Sequence, residues 1–395
     1  MSDQRVEGFD LEQYTTSDEA SIPVRISADQ FSAEDSDILA EVGVLLGGGA
    51  RSGTYVMKDF HAVCATTAAE GLEMLPIAEA LDKYPWLKKK YYWNAVSVDR
   101  NEITQRAARE TVPEGYFIRV EKDAKVELPF QAALYMANNG IAQTVHNVIV
   151  LEENAELNLI TGCVTARHVK SGIHFAITES YIGKNAVLIN TMIHSWGPQV
   201  QVRPHVGTIV EEGGSFVSNY VSLNSGSSII SNPKTWLNGK GASAKYYTVI
   251  LADKGSEVNT GGDVYLNAEE TSAEIVHRGV TTGGSIFQGG LMIGNQACRA
   301  HVDCAGMILG KDHSGYIHST PGVKAMHPDA QLSHEASIGK IAPEQIEYLM
   351  ARGITENDAI SMIIRGFLDS DLAGLGEELD ARIAEIADLA GEGEK

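Results

Sequence analysis

Hydrophobic and polar positions along the chain fall into three textures. Residues 1–32 are polar and acidic, which predicts a flexible arm. From 33 to 114 the pattern turns helical: ILAEVGVLL and IAEALDKYPWLKKKYYW place apolar residues three and four apart. From 115 to 339 β-branched and aromatic residues alternate with polar ones and are broken by small turn residues, the signature of many short strands. After Gly339 the helical period returns over 340–395. Pro343 suits the first turn of a helix that Gly353 stops, and Thr355 suits the cap of a second helix, with Asp358 three residues on. Ile360, Ile363, Ile364 and Phe367 then form one apolar stripe.

The strand-rich region repeats itself. VEKDAKV from Val120, LEENAEL from Leu151 and IGKNAVL from Ile182 share one plan, in which polar or turn residues and a small residue lie between two apolar ones. The three copies start 31 residues apart, and looser copies begin at Val210, Leu251 and Met326. A strand, tight turn and strand recurring at this period cannot bury its apolar face alone, so neighbours must stack. The predicted fold is mainly β: a right-handed β-helix or β-solenoid core over 115–339, flanked by helical regions. A β-sandwich also repeats its turn signals, but rarely the same turn chemistry at one long period.

Composition narrows the function classes. The net charge of −21 is spread along all 395 residues and no Lys/Arg stripe could track a phosphate backbone, so nucleic acid is not expected as a partner. Lys88-Lys89-Lys90 sit among aromatics, and the plainer expectation is a solvated helix face over packed rings. GGGARSG (47–53) lacks the Gly-Lys-Ser/Thr ending of a phosphate loop and reads as a turn. The four cysteines form no C-x-x-C pair and there is no signal-peptide layout, from which a reducing, cytoplasmic setting is expected. No apolar run approaches the ~20 residues that span a bilayer. Hydrolase and nucleotide-binding motifs are missing too, so an enzyme is not expected.

Metal-competent side chains gather late in the chain: Cys298, Cys304, His313, His318, His327, His334 and Glu335. None has zinc-finger spacing; open, mixed thiolate, imidazole and carboxylate ligation is the alternative and suits iron–sulfur, zinc or copper. Cys304 and Glu335 are 31 residues apart, one repeat step, which would place them side by side on neighbouring coils about 4.8 Å apart. Taken singly, Cys304 in VDCAGMIL reads as a small buried hydrophobe. Cys163, in LITGCVTARH, has the partly polar setting of a reactive thiol, and a buried structural role fits it equally.

With these residues assembled, the chain resembles the SufB/SufD family of the SUF iron–sulfur assembly system. The likeness is carried by LSHEASIGKIAPEQIEYLMARGITENDAISMIIRGFL (332–368), by IFQGGLMIGNQACRAHVDCAGMILG before it, and by PIAEALDKYPWLKKKYYW and GYFIRVEKDAKVELP nearer the start. The His334-Glu335 pair is most like the SufB form. The resemblance implies a homodimeric scaffold on which an iron–sulfur cluster is built, with Cys304, Glu335 and His334 as its ligands and His313, His318 and Cys298 as weaker candidates. It also implies a SufC-like ABC-type ATPase docked on the C-terminal helices through Ile346, Tyr348, Leu349, Ile360, Ile363, Ile364 and Phe367, and apo-proteins that accept the cluster. A SufD-like platform for the ATPase, without a cluster of its own, is the alternative. One departure stands out: where the bacterial pattern carries a sulfur-receiving cysteine, ESYIGK offers Ile182. Either Cys163 takes over or sulfur arrives as sulfide, as in a reduced two-component system of anaerobic type.

Overall fold

The computed structural model describes residues 5–17, 26–46, 50–309 and 315–368. Its core is a parallel β-solenoid of about eight turns, mainly strand with a few helices at either end. Each turn alternates between two facing sheets. One sheet stacks Phe130–Met136, Glu156–Thr165, Val187–Trp196, Ser215–Ser225, Ser243–Ala252, Thr271–Thr281, Cys298–Ile308 and Gln331–Gly339. The other begins with Tyr116–Val120, Ile141–Leu151, Ser171–Ile182 and Gln199–Val210.

Beyond Gln199–Val210 the second sheet divides into two rows. Ser228–Ser231, Glu257–Thr260, Ser285–Gln288 and Tyr316–Ser319 form one, and Lys234–Leu237, Asp263–Leu266, Leu291–Gly294 and Gly322–Ala325 the other. The residues between the rows explain the break: Asn232-Pro233, Gly261-Gly262, Gly289-Gly290 and Thr320-Pro321. Proline has no N–H for the ladder, and paired glycines bend where a straight strand would continue.

The repeat noticed in the sequence is a turn with one left-handed residue. Asp123, Asn154, Asn185, Gly213 and Gly241 have φ of +64°, +60°, +54°, +65° and +71°, a conformation that asparagine, aspartate and glycine adopt most cheaply. Each backbone N–H bonds to a carbonyl of the next coil, as Asn154 does to Lys184 at 2.8 Å and Asn185 to Glu212 at 2.8 Å. The side chains stack as well: Asn154 donates to Asp123 at 2.6 Å and Asn185 to Asn154 at 3.2 Å. The small residue that follows, Ala155 or Ala186, is wholly buried inside the coil. Turn chemistry thus sets the pitch, and apolar layers such as Leu151–Ile182–Val210 fill the interior.

The stretch read as helical, 33–114, is mixed. It holds the helices Ala33–Ala40, Ile77–Lys83, Pro85–Lys90 and Glu102–Ala107, but also the strands Gly53–Lys58, His61–Thr67 and Leu72–Pro76. Gly53–Lys58 pairs with Phe130–Met136 and folds back on His61–Thr67, while Leu72–Pro76 runs antiparallel to Tyr116–Val120. A solenoid exposes a bare sheet edge at its first coil, and these strands cover it. Tertiary pairing overrides the local helical period here. Lys88, Lys89 and Lys90 are exposed on their helix over the buried Leu87, as expected.

At the other end the helix signals hold. Pro343 opens the helix Pro343–Met350, Gly353 sits at φ +89° after it, and the Thr355 hydroxyl accepts the Asp358 N–H at 3.2 Å ahead of Glu356–Leu368. Of the residues singled out in the sequence, His313, Gly47–Gly49 in the glycine turn and parts of the N-terminal arm and C-terminal tail lie outside the described residues.

Candidate functional site

Parallel pairing fixes which side chains share a face. Cys298–Ile308 lies between Thr271–Thr281 and Gln331–Gly339, and Ala300, Val302 and Cys304 point into the coil. Cys304 is wholly buried. Its neighbour on the last strand is Ala336, while Glu335 stands beside Asp303 and His334 beside Val302. The expected pairing of Cys304 with Glu335 is therefore one residue off, because the last coil is longer than the repeat: Arg299 pairs with Gln331, 32 residues on. A one-residue offset changes the face. Cys304 and His334 share the inward side, and Glu335 lies on the outer one.

The outer face has its own polar order. Asp303 accepts from the Arg278 guanidinium at 2.6 Å, with Glu335 next to it in register, and His301 bonds to Ser333 at 2.9 Å. His334 and Glu335 are exposed, as is almost all of the last strand, for among the described residues no further coil covers it. Inside, burial pushes the Cys304 thiol above its usual pKa, partly offset by the nearby Ser319 hydroxyl. One strand row back, His277 lies in register with Cys304 and is also inward and buried, its pKa pushed down to about 4, chiefly by desolvation.

The weaker candidates do not join this group. Cys298 faces inward at the far end of the same strand, six residues or roughly 20 Å away. His318 is exposed on the opposite sheet, its ring 5.9 Å from that of Phe287. Among the described residues, no three His, Cys, Asp or Glu side chains are grouped closely enough to hold a metal ion.

Cys163 lies in the interior of the first half, in register with His194 and Leu134. It is almost wholly buried, and desolvation pushes its pKa far up. His194 takes a hydrogen bond with Tyr220 at 3.0 Å, and both it and His174 are pushed down to about 3 by burial. Ile182 is a plain interior residue between Leu151 and Val210.

Of the docking residues expected on the C-terminal helices, Ile360 and Ile364 are buried against the solenoid beside Val249, Val280 and Met307. Ile346, Ile363 and Phe367 are partly buried in the same cluster, Leu349 is half-buried, and Tyr348 is 57% exposed. Sequence reasoning missed His277 and His194. Both could have been found by stepping one coil from a cysteine, 27 residues before Cys304 and 31 after Cys163.

One feature absent from the sequence reading ties the N-terminal region to the solenoid. The buried Glu179 carboxylate accepts the backbone N–H groups of Trp93, Asn94, Ala95 and Val96 at 2.6, 2.7, 2.6 and 3.0 Å. It also accepts from Tyr181 at 3.0 Å and His146 at 2.8 Å. Burial works against its charge, yet the bonds from His146 and these amides hold its pKa below the usual range.

Fold and site together define a parallel β-solenoid flanked by terminal helices, with a buried thiol under its last coil. A family model described as SUF system FeS cluster assembly, SufBD core domain, matches residues 134–367. The chain is 41% identical over 357 residues to an iron-sulfur cluster assembly SufBD family protein of Archaeoglobus fulgidus, covering 90% of this chain and 95% of that one. It is 36% identical over 389 residues to one of Methanothermobacter thermautotrophicus (97% and 94% covered), and 29% over 380 residues to one of Pyrococcus horikoshii (93% and 84%). The chain belongs to the SufBD family of iron–sulfur cluster assembly. Members of this family are assembly components, and no helix among the described residues is long and apolar enough to cross a membrane.

Proposed function

We propose that the chain is a SufB-type scaffold that works in the cytoplasm as a homodimer, with an iron–sulfur cluster as its cargo. Cys304 is the anchoring thiolate, His334 the donor that shares its face, and Glu335 an outer carboxylate close to the subunit interface. The observation that carries this is the position of Cys304: wholly buried, yet covered at the open end by one strand, Gln331–Gly339, whose own residues are almost all exposed. A thiol there is protected until that strand shifts. ATP hydrolysis by a SufC-like ABC-type ATPase provides the shift, its dock being the exposed parts of Pro343–Met350 and Glu356–Leu368, with Tyr348 foremost. A cluster held by one thiolate with imidazole or carboxylate leaves more readily for an apo-protein than one held by four thiolates.

Sulfur delivery follows from thiol chemistry. Cys163 is a nucleophile only as thiolate, which its burial opposes, so inorganic sulfide is the simpler source for the closed coil. Anaerobic reconstitution with the partner ATPase tests the assignment. Cys304→Ala is expected to abolish cluster absorbance, and His334→Ala and Glu335→Ala to lower it; full occupancy in all three would refute the site. The SufD-like platform is favoured by one observation, the lack of a preformed three-ligand group among the described residues. It predicts that Tyr348→Ala weakens ATPase binding while Cys304→Ala changes nothing.

A further inference from the structure

We propose that His277 is the second protein donor beside Cys304, and that the two hold a thiophilic divalent ion, iron(II) as the incoming metal, inside the last coils. The inference rests on the assembly reading, in which Cys304 receives the cargo, and adds a ligand that the His-Glu pair does not supply. In the parallel register His277 stands next to Cys304 on the adjoining strand, on the same inward face, at the ~4.8 Å spacing of neighbouring strands. The two residues are 1% and 0% exposed.

The unusual feature is what surrounds them. Neither ring nitrogen of His277 makes a well-formed hydrogen bond, although the Gly289 backbone lies near the ring. On the facing short strands Thr260, Gln288 and Ser319 form one row in register. Thr260 Oγ1 and Gln288 Oε1 are likewise buried and unpartnered, and the buried Ser319 Oγ has no neighbour but the Cys304 thiol. Only the amide nitrogen of Gln288 is used, donating to the Ala305 carbonyl at 3.1 Å. Each such group costs about 1–3 kcal/mol, and folded proteins keep few of them. The interior histidines of the first half show the usual solution: His174 bonds to Gln143 at 2.8 Å and His194 to Tyr220 at 3.0 Å. Around Cys304 the interior gathers a thiol, an imidazole without a well-formed hydrogen bond, and the oxygens of Thr260, Gln288 and Ser319.

Sulfur, nitrogen and oxygen donors together suit iron(II), cobalt(II) or zinc. On binding, the Cys304 thiol gives up its proton to solvent, the thiolate and neutral imidazole each donate an electron pair, and no oxidation state changes. The ion enters from the open end, past Gln331–Gly339.

The test is an anaerobic cobalt(II) titration of the full-length, metal-free chain. One equivalent is expected to bind with a thiolate-to-cobalt charge-transfer band that Cys304→Ser removes. His277→Gln is expected to weaken binding by at least about 10- to 100-fold with circular dichroism and melting unchanged. A wild-type chain without the band, or a His277→Gln chain that titrates like wild type, overturns the proposal. Should His277→Gln fail to fold, X-ray absorption of the cobalt-loaded His334→Ala chain decides instead: imidazole scattering supports the assignment and its absence overturns it. If Cys304→Ser abolishes cluster reconstitution while His277→Gln leaves cobalt binding intact, the assembly reading stands and this one falls. If reconstitution survives Cys304→Ser, the assembly reading itself is lost.

Discussion

The two ends of the solenoid are built on opposite principles. At the first coil the exposed edge is covered by the hairpin Gly53–Lys58 and His61–Thr67 and by Leu72–Pro76, while Tyr55, Tyr116 and Phe130 fill the interior at 0–1% exposure. Glu179 then fastens segment 93–96 to the outside through four amides. At the last coil Gln331–Gly339 pairs on one side only among the described residues, and its inward His334, Ala336 and Ile338 are exposed. Edges of this kind are normally blocked, so one left open is a surface kept for a partner or for movement. The proposed chemistry lies at this end: Cys304 and His277 are within two strands of the edge.

Acid gives the strongest test of the sealed half. His174 and His194 titrate near 3 in the folded chain and at the ordinary 6.5 once unfolded. As pH falls below 6.5 the unfolded chain takes up protons that the fold refuses, so the stabilisation present above 6.5 is lost progressively down to about 3, on the order of a few kcal/mol for each histidine. Urea midpoints between pH 7 and pH 4 should drop steeply; a flat profile would mean that these interior imidazoles reach solvent. Next in size is Glu179→Ala, which leaves four amides and His146 without their acceptor and should cost about 3–5 kcal/mol. A variant as stable as wild type in chemical denaturation would show that the N-terminal region is not latched there.

How much of this was legible in the sequence depends on the kind of signal. The 31-residue repeat gave the solenoid, because a left-handed turn residue followed by a small inward one is a local demand that Asp123, Asn154 and Asn185 state openly. Pro343, Gly353 and Thr355 marked helix ends for the same reason. The strands in 33–114 were hidden, since their partner Phe130–Met136 lies far along the chain and only that pairing makes them strands. The site was half legible. Cys304 stood out by residue type, but constant spacing misled about its neighbour, because coils vary: Thr271 pairs with Cys298, 27 residues on, and Arg299 with Gln331, 32 on. Which face a residue takes depends on that count to a single residue. His277 carried no local signal, and it gained meaning only once register set it against Cys304.

The smallest expected effect sharpens the comparison most. Glu335 lies on an exposed strand, with Asp303 beside it already paired to Arg278, so Glu335→Ala should change global stability by no more than about 0.5 kcal/mol. Hydrogen exchange should still show amides of Gln331–Gly339 opening well before those of Gly53–Lys58, because the last strand can leave by local unfolding while the first cannot. Under the scaffold reading the same substitution lowers cluster occupancy. A large loss of stability from Glu335→Ala, or equal protection of the two strands, would make the last coil a closed cap like the first. Cys304 would then need a route to solvent other than the displacement of one strand.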